Sequence, residues 1–540
     1  MKKCIIILLF YTSFNLISQP DSRFRAFDWT LFKGSGSITS ITEGYNYIYV
    51  GTKLGGLKRF NLFGNKFDDP ITMAQGLKEN QINATHFDLE TGIIWIATSS
   101  YLQYSYSREG DWYSILLEDI GFLKYDKIEK MGSSSDFLWL KAKSTYFKLD
   151  HSSGVLIGIY PIPDELNINW SSGKYIENQK FSEIFLNFTF MDGYLFNGGE
   201  LIDNLGRRIK IETAYIGNHG NIFFGTNDGT FFHATNTMQV FSSFIPDINN
   251  IDVNSLFNDG DKLWIGSSDY ISSKGICSYD LQNNETFCFE FESSINMTPT
   301  SVSSIIISNN ELWVGGNSII LYHDIKKNYW RSFGQERGVP TGIIFDMYVD
   351  SSYIWIASSS GINSIDLESK RVSEYGIESL FKNIPVYDLE GVDNDIWIGS
   401  YSGVYILSLD NPQIRHANEI GKKDFPEIMK KITAIKSYDR EVYVVGDLGI
   451  TIFDLDNHIW EFLFPSSYYG NKIIYSLAIN KKYIFLGSNN GLIRIHKKTG
   501  FIREYDFEFI GEVKDLSVDR NHLWIGSTEG LIRFKWKRDI

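Results

Sequence analysis

Cysteine and proline are scarce in this chain, with three Cys and 11 Pro among 540 residues. Three cysteines are too few for a four-sulfur structural zinc site. The nine histidines (His86, His151, His219, His233, His323, His416, His458, His496 and His522) form no H-x-x-H or H-E-x-x-H pair, so no metal motif is visible. There is no G-x-S-x-G elbow, no G-x-x-x-x-G-K-S/T phosphate loop and no S-x-D-x-G-x-T-W Asp-box, of which TNDGTFF (226–232) is only an echo. The Gly-rich stretch KLGGLKR (53–59) lacks the following helix that a phosphate cradle needs and reads as a hairpin turn. Basic stripes and runs of five like charges are absent, and the net charge is −14, which argues against a nucleic-acid partner. No cofactor is expected.

Aromatic residues are abundant at 15%, with 31 Tyr, 39 Phe and 13 Trp, and glycine is plentiful at 46. Aromatic side chains suit half-buried pleated surfaces and glycine suits the turns between them, the balance of an all-β protein. The N-terminus reads Lys2–Lys3, then an apolar stretch from Cys4 to Ile17, then Leu16 and Ser18 at −3 and −1 of a cleavage site before Gln19. This is the pattern of a secretory signal peptide over residues 1–18, too short for a membrane anchor. No other stretch is apolar enough to span a membrane. After cleavage Cys277 and Cys288 remain, eleven residues apart around a polar turn. In an exported chain this spacing suggests a cross-strand disulfide within one hairpin.

An apolar strand with a central aromatic recurs along the whole chain. It reads IYVGT at Tyr49, IWIAT at Trp95, LWLKA at Trp139, IFFGT at Phe223, LWIGS at Trp264 and LWVGG at Trp313. It continues as IWIAS at Trp355, IWIGS at Trp397, VYVVG at Tyr443, IFLGS at Phe485 and LWIGS at Trp524. One double-length gap of 84 residues is filled by a degraded copy, EIFLNF around Phe185, giving twelve copies spaced about 43 residues apart. Glycine often follows six residues after the anchor, as at Gly55, Gly229, Gly361, Gly403, Gly449, Gly491 and Gly530, where a tight hairpin turn is expected. Seventeen residues after the anchor comes another apolar position, Trp112, Trp330 and Trp460 in three copies. Each unit thus holds four short strands, and the period is that of a β-propeller of about twelve four-stranded blades.

Trp29 in FDWTLF matches Trp112, Trp330 and Trp460 but has no anchor upstream, while the last anchor, Trp524, lacks a fourth strand. The first strand of the mature chain is therefore expected to complete the last blade and remove an open edge. The division of the blades stays open between five plus seven, six plus six and a single large ring. Five plus seven gives a first propeller over 19–239 and a second over 240–540.

Segments such as GIIFDMYVDSSYIWIASSSGINSIDLES and VKDLSVDRNHLWIGSTEGLIRFK resemble the two-component regulator propeller repeat: an apolar strand ending near Asp, then L-W-I-G-T, then G-L-x-R-F-D. The resemblance covers nearly all of 22–540 and is clearest from Trp264 onward. It implies a periplasmic sensor-type propeller, commonly two rings of seven; twelve blades depart from that number. Neither a kinase, a DNA-binding segment nor a transmembrane helix is visible. Tandem propellers of this kind also occur, by resemblance, in the type IX secretion apparatus.

Most aromatics fall in phase with the repeat and read as packing between blades. The out-of-phase ones are better contact candidates: Tyr101, Tyr104 and Tyr106 in SYLQYSYSREGDWY, and Tyr468 and Tyr469 in FPSSYYGN. The turn aspartates Asp350, Asp366, Asp393, Asp454 and Asp519 recur because turns favour Asp. Together these features point to an exported, non-catalytic binding or scaffolding protein, periplasmic, cell-surface or extracellular. Its partner would be a protein or glycan, with a membrane-embedded partner where it senses or assembles. The alternative is a polysaccharide-active or carbohydrate-binding propeller; an enzyme of this kind requires two carboxylates about 5–10 Å apart at the mouth of a central channel.

Overall fold

The computed structural model describes residues 23–172, 179–246, 248, 251–267, 275–291, 295, 300–373, 375–411, 413–423, 425 and 429–539. The expected signal peptide lies outside these residues. The described chain is all-β, a multi-blade propeller of mostly four-stranded antiparallel sheets, and its strands form eleven sheets.

Seven of these sheets close a large ring. Their innermost strands are Ser255–Asn258, Ser304–Ser308, Ile344–Val349, Val386–Val392, Ala434–Tyr438, Ile474–Ile479 and Val513–Val518. Each lies against the next, and the last returns to the first. The anchors Trp264, Trp313, Trp355, Trp397, Tyr443, Phe485 and Trp524 are each at most 3% exposed and fill the seams between blades. Two of the turn aspartates, Asp350 and Asp519, serve the same packing, and so does Asp259. Asp350, Asp259 and Asp519 accept from the indole Nε1 of Trp355, Trp264 and Trp524 at 2.7, 3.0 and 3.1 Å.

The N-terminal strand Trp29–Phe32 closes this large ring. It pairs antiparallel with Gly530–Phe534, register Trp29↔Phe534, and so supplies the missing fourth strand of the last blade. Gly530 has φ 132°, and a Cβ there would stand 2.4 Å from the Phe32 carbonyl oxygen, so the close approach of the closing strand requires glycine. In the first copy the left-handed turn falls one residue later than expected, on Gly56 (φ 73°) instead of Gly55.

The remaining four sheets form a small ring inserted between Phe32 and the large ring. Their innermost strands are Ile38–Glu43, Ala84–Phe87, Lys130–Ser133 and Arg208–Ile216, and the last lies against the first. Between the third and fourth blades the strand Asn169–Trp170 pairs with Lys130–Ser133. Ser172 then bridges the seam, accepting from Ile41 N–H at 2.5 Å and from Thr213 Oγ1 at 2.9 Å. The strand Val240–Phe244 pairs with Phe231–Thr235, so residues 240–244 belong to the small ring's last blade, where the reading with a boundary at 239/240 gave them to the other ring.

The segment around Phe185 is not a degraded blade. Gln179–Asn187 is an α-helix, and Phe185 is buried with Phe188 against Phe224, Phe232 and Phe241 of the fourth small-ring blade. Its apolar residues Phe181, Ile184, Phe185 and Phe188 recur at helical spacing, which the strand periodicity of the neighbouring copies overshadowed. After this helix the added strands Thr189–Phe190, Leu195–Asn197 and Glu200–Ile202 widen that blade to a seven-stranded sheet.

Candidate functional site

The large ring carries one lumen-facing residue per blade at one register position, ten residues before each anchor: Asn254, Ser303, Phe345, Tyr387, Thr433, Tyr475 and Lys514. All seven are half-buried and line a depression of about 770 Å³ at the end of the channel. Lys431, Ile343 and Ile473 stand on its rim and are exposed. The Phe345 and Tyr387 rings meet at 5.3 Å, and Lys514 Nζ sits 4.4 Å over the Tyr475 ring. Such a concave surface, mostly apolar with a few convergent polar groups, is the usual form of a ligand site.

Directly below lies a channel of about 560 Å³ holding Asp346, Asp388 and Asp515, each the residue after a mouth residue. These aspartates clasp neighbouring blades. Asp346 accepts from Leu389 N–H at 3.0 Å, Asp388 from Ile435 N–H, and Asp515 from Leu256 N–H at 2.7 Å across the closing seam. Although part of each residue still faces the lumen, the surrounding blades desolvate the carboxyls. Burial pushes Asp515 up to about 6. Burial, and then the charge of Asp346, raises Asp388 well above the usual carboxylate range; Asp346 is raised by burial as well. One layer deeper, Lys436 Nζ pairs with Glu390 at 3.1 Å, and that carboxylate raises the lysine above its ordinary value.

The small ring is closed at its centre by a buried polar hub. The His86 nitrogens lie 2.7 Å from Ser171 Oγ and 2.9 Å from Ser133 Oγ. Ser133 donates to Asp88 at 3.1 Å, and His151 Nδ1 stands 3.0 Å from the other Asp88 oxygen. Desolvation lowers His86 to about 4, so the imidazole is neutral at pH 7. A serine, a histidine and an aspartate thus meet here, as in a hydrolase. However, Ser171 is 3% exposed and packed with its hydroxyl 2.8 Å from Thr42 Oγ1, which leaves no space for a substrate beside it. The hub pins the blades together.

Of the tyrosines singled out in the sequence, Tyr469 alone borders the mouth among the described residues. Tyr104 and Tyr106 meet Tyr113 at 5.1 and 6.0 Å on the outer part of the second small-ring blade, and Tyr106 donates to the Ser152 carbonyl at 2.7 Å. Tyr101 stands at the start of the same strand, half-buried and outside this aromatic group. Tyr468 is exposed, stacked on Phe464 at 5.2 Å and bonded to the Gly500 carbonyl. Tyr469 is 1% exposed and packs in the core, and it also lines a small pocket of about 240 Å³ that shares Lys431, Thr433 and Ile473 with the mouth. Cys277 and Cys288 stand directly opposite in adjacent strands, Cα–Cα 4.0 Å, and are joined by a disulfide. Sequence reasoning missed the mouth because its residues share no chemical type; only their constant offset from the anchors marks them. Among the described residues no cluster of three or more His, Cys, Asp or Glu could hold a metal ion, and no helix is long and apolar enough to cross a membrane.

No protein-family model matches this sequence, and no curated protein matches it. Among solved structures, the chain is similar to the extracellular domain of a protein described as a hybrid two component system of B. thetaiotaomicron. The identity is 13% and the TM-score 0.42, over 92% of this chain and 70% of that one. A second structure of that domain, described there as part of a one component system, gives 13% and 0.43 over 92% and 69%. The computationally designed protein Ika8 gives 14% and 0.39 over 59% of this chain and 94% of its own.

Proposed function

We propose that this protein is an exported, non-catalytic binding module of the cell envelope that takes its ligand or partner at the mouth of the seven-bladed ring. The observation that carries this reading is the seven-residue mouth itself. A rigid scaffold, closed by its own N-terminal strand, holds one side chain per blade around a concave surface with three aromatic rings and several hydrogen-bonding groups. The sensor and the secretion-scaffold versions share this site and differ in the partner, a membrane-embedded protein in each case. Affinity purification from the envelope with the wild type and with Tyr387→Ala/Tyr475→Ala tests it. A partner or ligand retained by the wild type and lost by the double variant is expected. Equal recovery by both places binding elsewhere and defeats the proposal.

One observation bears on the enzymatic alternative: two carboxyls, Asp346 and Asp388, do meet in the channel. Burial, and then the charge of Asp346, raises Asp388 well above the usual carboxylate range. Each also accepts a backbone N–H of the next blade, so the pair serves the seam. Hydrolysis of any glycan by the wild type that is abolished in Asp388→Asn would revive that alternative.

A further inference from the structure

The chain as a whole is acidic, with 65 Asp and Glu against 51 Lys and Arg, yet the lining of the mouth includes two lysines and no carboxylate. The remaining polar groups of the lining, among them Asn254, Ser303 and Thr433, can all donate hydrogen bonds. Lys514 lies flat over Tyr475, so one cation and one ring form a single surface. On the opposite arc Phe345 and Tyr387 present two more rings. Lys431 projects from the rim between them. It is held at φ 48°, a left-handed conformation costly for a side chain with a Cβ, by its N–H donating to the Tyr401 carbonyl at 3.0 Å. Among the described residues Lys431 makes no ion pair, whereas Lys514 pairs with Glu512 at 2.5 Å.

We infer that the mouth binds a carboxylate carried on a flat apolar body, with the anion between Lys431 and Lys514 and the flat face against Phe345, Tyr387 and Tyr475. The inference rests on the mouth being the binding site and adds the ligand's chemistry. The carboxyls deeper in the channel oppose it only weakly, because Asp346, Asp388 and Asp515 spend oxygens on backbone N–H groups of neighbouring blades and burial disfavours their charged forms. Two sources carry such chemistry: an aromatic acid and an acidic sugar, whose ring also has an apolar face.

Titration calorimetry on the full chain separates the possibilities. The probes are 3-phenylpropionate, its neutral analogue 3-phenylpropanol, phenethylamine and trigalacturonate. At least one of the two carboxylates is expected to bind, and the one that does identifies the source. 3-Phenylpropanol and phenethylamine should bind tenfold or more weakly, and Lys431→Ala/Lys514→Ala should lose tenfold or more. Glu512→Gln, which frees Lys514 from its partner, should strengthen carboxylate binding several-fold; circular dichroism and melting temperature verify that each variant is folded. Tighter binding of phenethylamine than of 3-phenylpropionate overturns the inference, as does equal binding of acid and alcohol. If such binding is still lost in Tyr387→Ala, the mouth remains the site and only the ligand class fails. Absence of binding by every probe also overturns the ligand class, and the envelope purification decides separately whether the mouth binds anything.

Discussion

Trp29 offers the most demanding prediction, because its position in the sequence and its place in the fold disagree. It lies near the N-terminus, yet its ring stacks on Phe534 at 3.8 Å and 8° and is edged by Tyr505, Phe507 and Phe509 at 5.4–5.9 Å. At 1% exposure it is part of the core of the last large-ring blade. Truncating a fully buried tryptophan to alanine costs about 3–5 kcal/mol, through lost transfer energy and the cavity left behind. The loss should fall mainly on the large ring, since among the described residues Trp29–Phe32 pairs as a strand only with Gly530–Phe534, while its contacts to the small ring are those to Ala74 and Gln75 after the first blade. Hydrogen exchange resolved by peptide is the assay, because a two-ring chain need not unfold in one step. In Trp29→Ala the strands Val513–Val518, Leu523–Ser527, Gly530–Phe534 and the adjoining Ser255–Asn258 should lose protection, while Ile38–Ile71 keeps it. Trp112→Ala, an equally large truncation in the small ring, should show the converse. A Trp29→Ala effect below about 1 kcal/mol, or one centred on Ile38–Ile71, would refute closure by the N-terminal strand.

Four further outcomes are expected. Asp515, raised in the folded state to about 6 from 3.8, contributes stability that is complete below about pH 4 and is lost as pH rises through 6; Asp515→Asn should flatten this slope, worth on the order of 1 kcal/mol, in melts across pH 4–7. His86, lowered to about 4 from 6.5, behaves oppositely: its contribution is complete above about pH 6.5 and is lost as pH falls to 4, so on acidification the small ring should lose exchange protection before the large one. Reduction of the Cys277–Cys288 bond, which joins the third and fourth strands of one blade, should add two hydrogens by mass spectrometry and lower stability by about 2 kcal/mol in that blade, with Cys277→Ser/Cys288→Ser insensitive to reductant. Tyr469→Ala should cost about 3 kcal/mol in denaturant melts, whereas Tyr468→Ala, an exposed ring, should cost under about 1 kcal/mol.

Several elements were legible because their signal is local or periodic. The anchors recur at blade spacing, and each is a buried inter-blade residue in the large ring. Trp29 was readable as a fourth strand because it carries the pattern of Trp330 and Trp460 without an anchor of its own. The helix at Gln179–Asn187 was misread because a strand pattern was extended into a segment whose apolar residues follow the helical period. Tyr468 and Tyr469 differ in burial because a loop between strands can turn one ring inward, and nothing in FPSSYYGN distinguishes the buried tyrosine from the exposed one. Nothing local marks His86, because its partners Ser133 and Ser171 are 47 and 85 residues away and only ring closure brings them to it.

The sequence by itself determined the unit: four strands, an aromatic anchor, a glycine turn, and an N-terminal strand that matches the fourth-strand pattern. It could do so because strand periodicity, turn chemistry and inter-blade packing are repeated in every copy. Tertiary structure alone decided how many blades each ring holds, that one ring is inserted into the other, and which residues face the lumen. Those depend on the angle at which each blade packs on the next, set by the combined shape of two apolar faces far apart in the chain. The mouth is the plainest case. Asn254, Ser303, Phe345, Tyr387, Thr433, Tyr475 and Lys514 have nothing in common as side chains and become a site only when seven blades close into a circle.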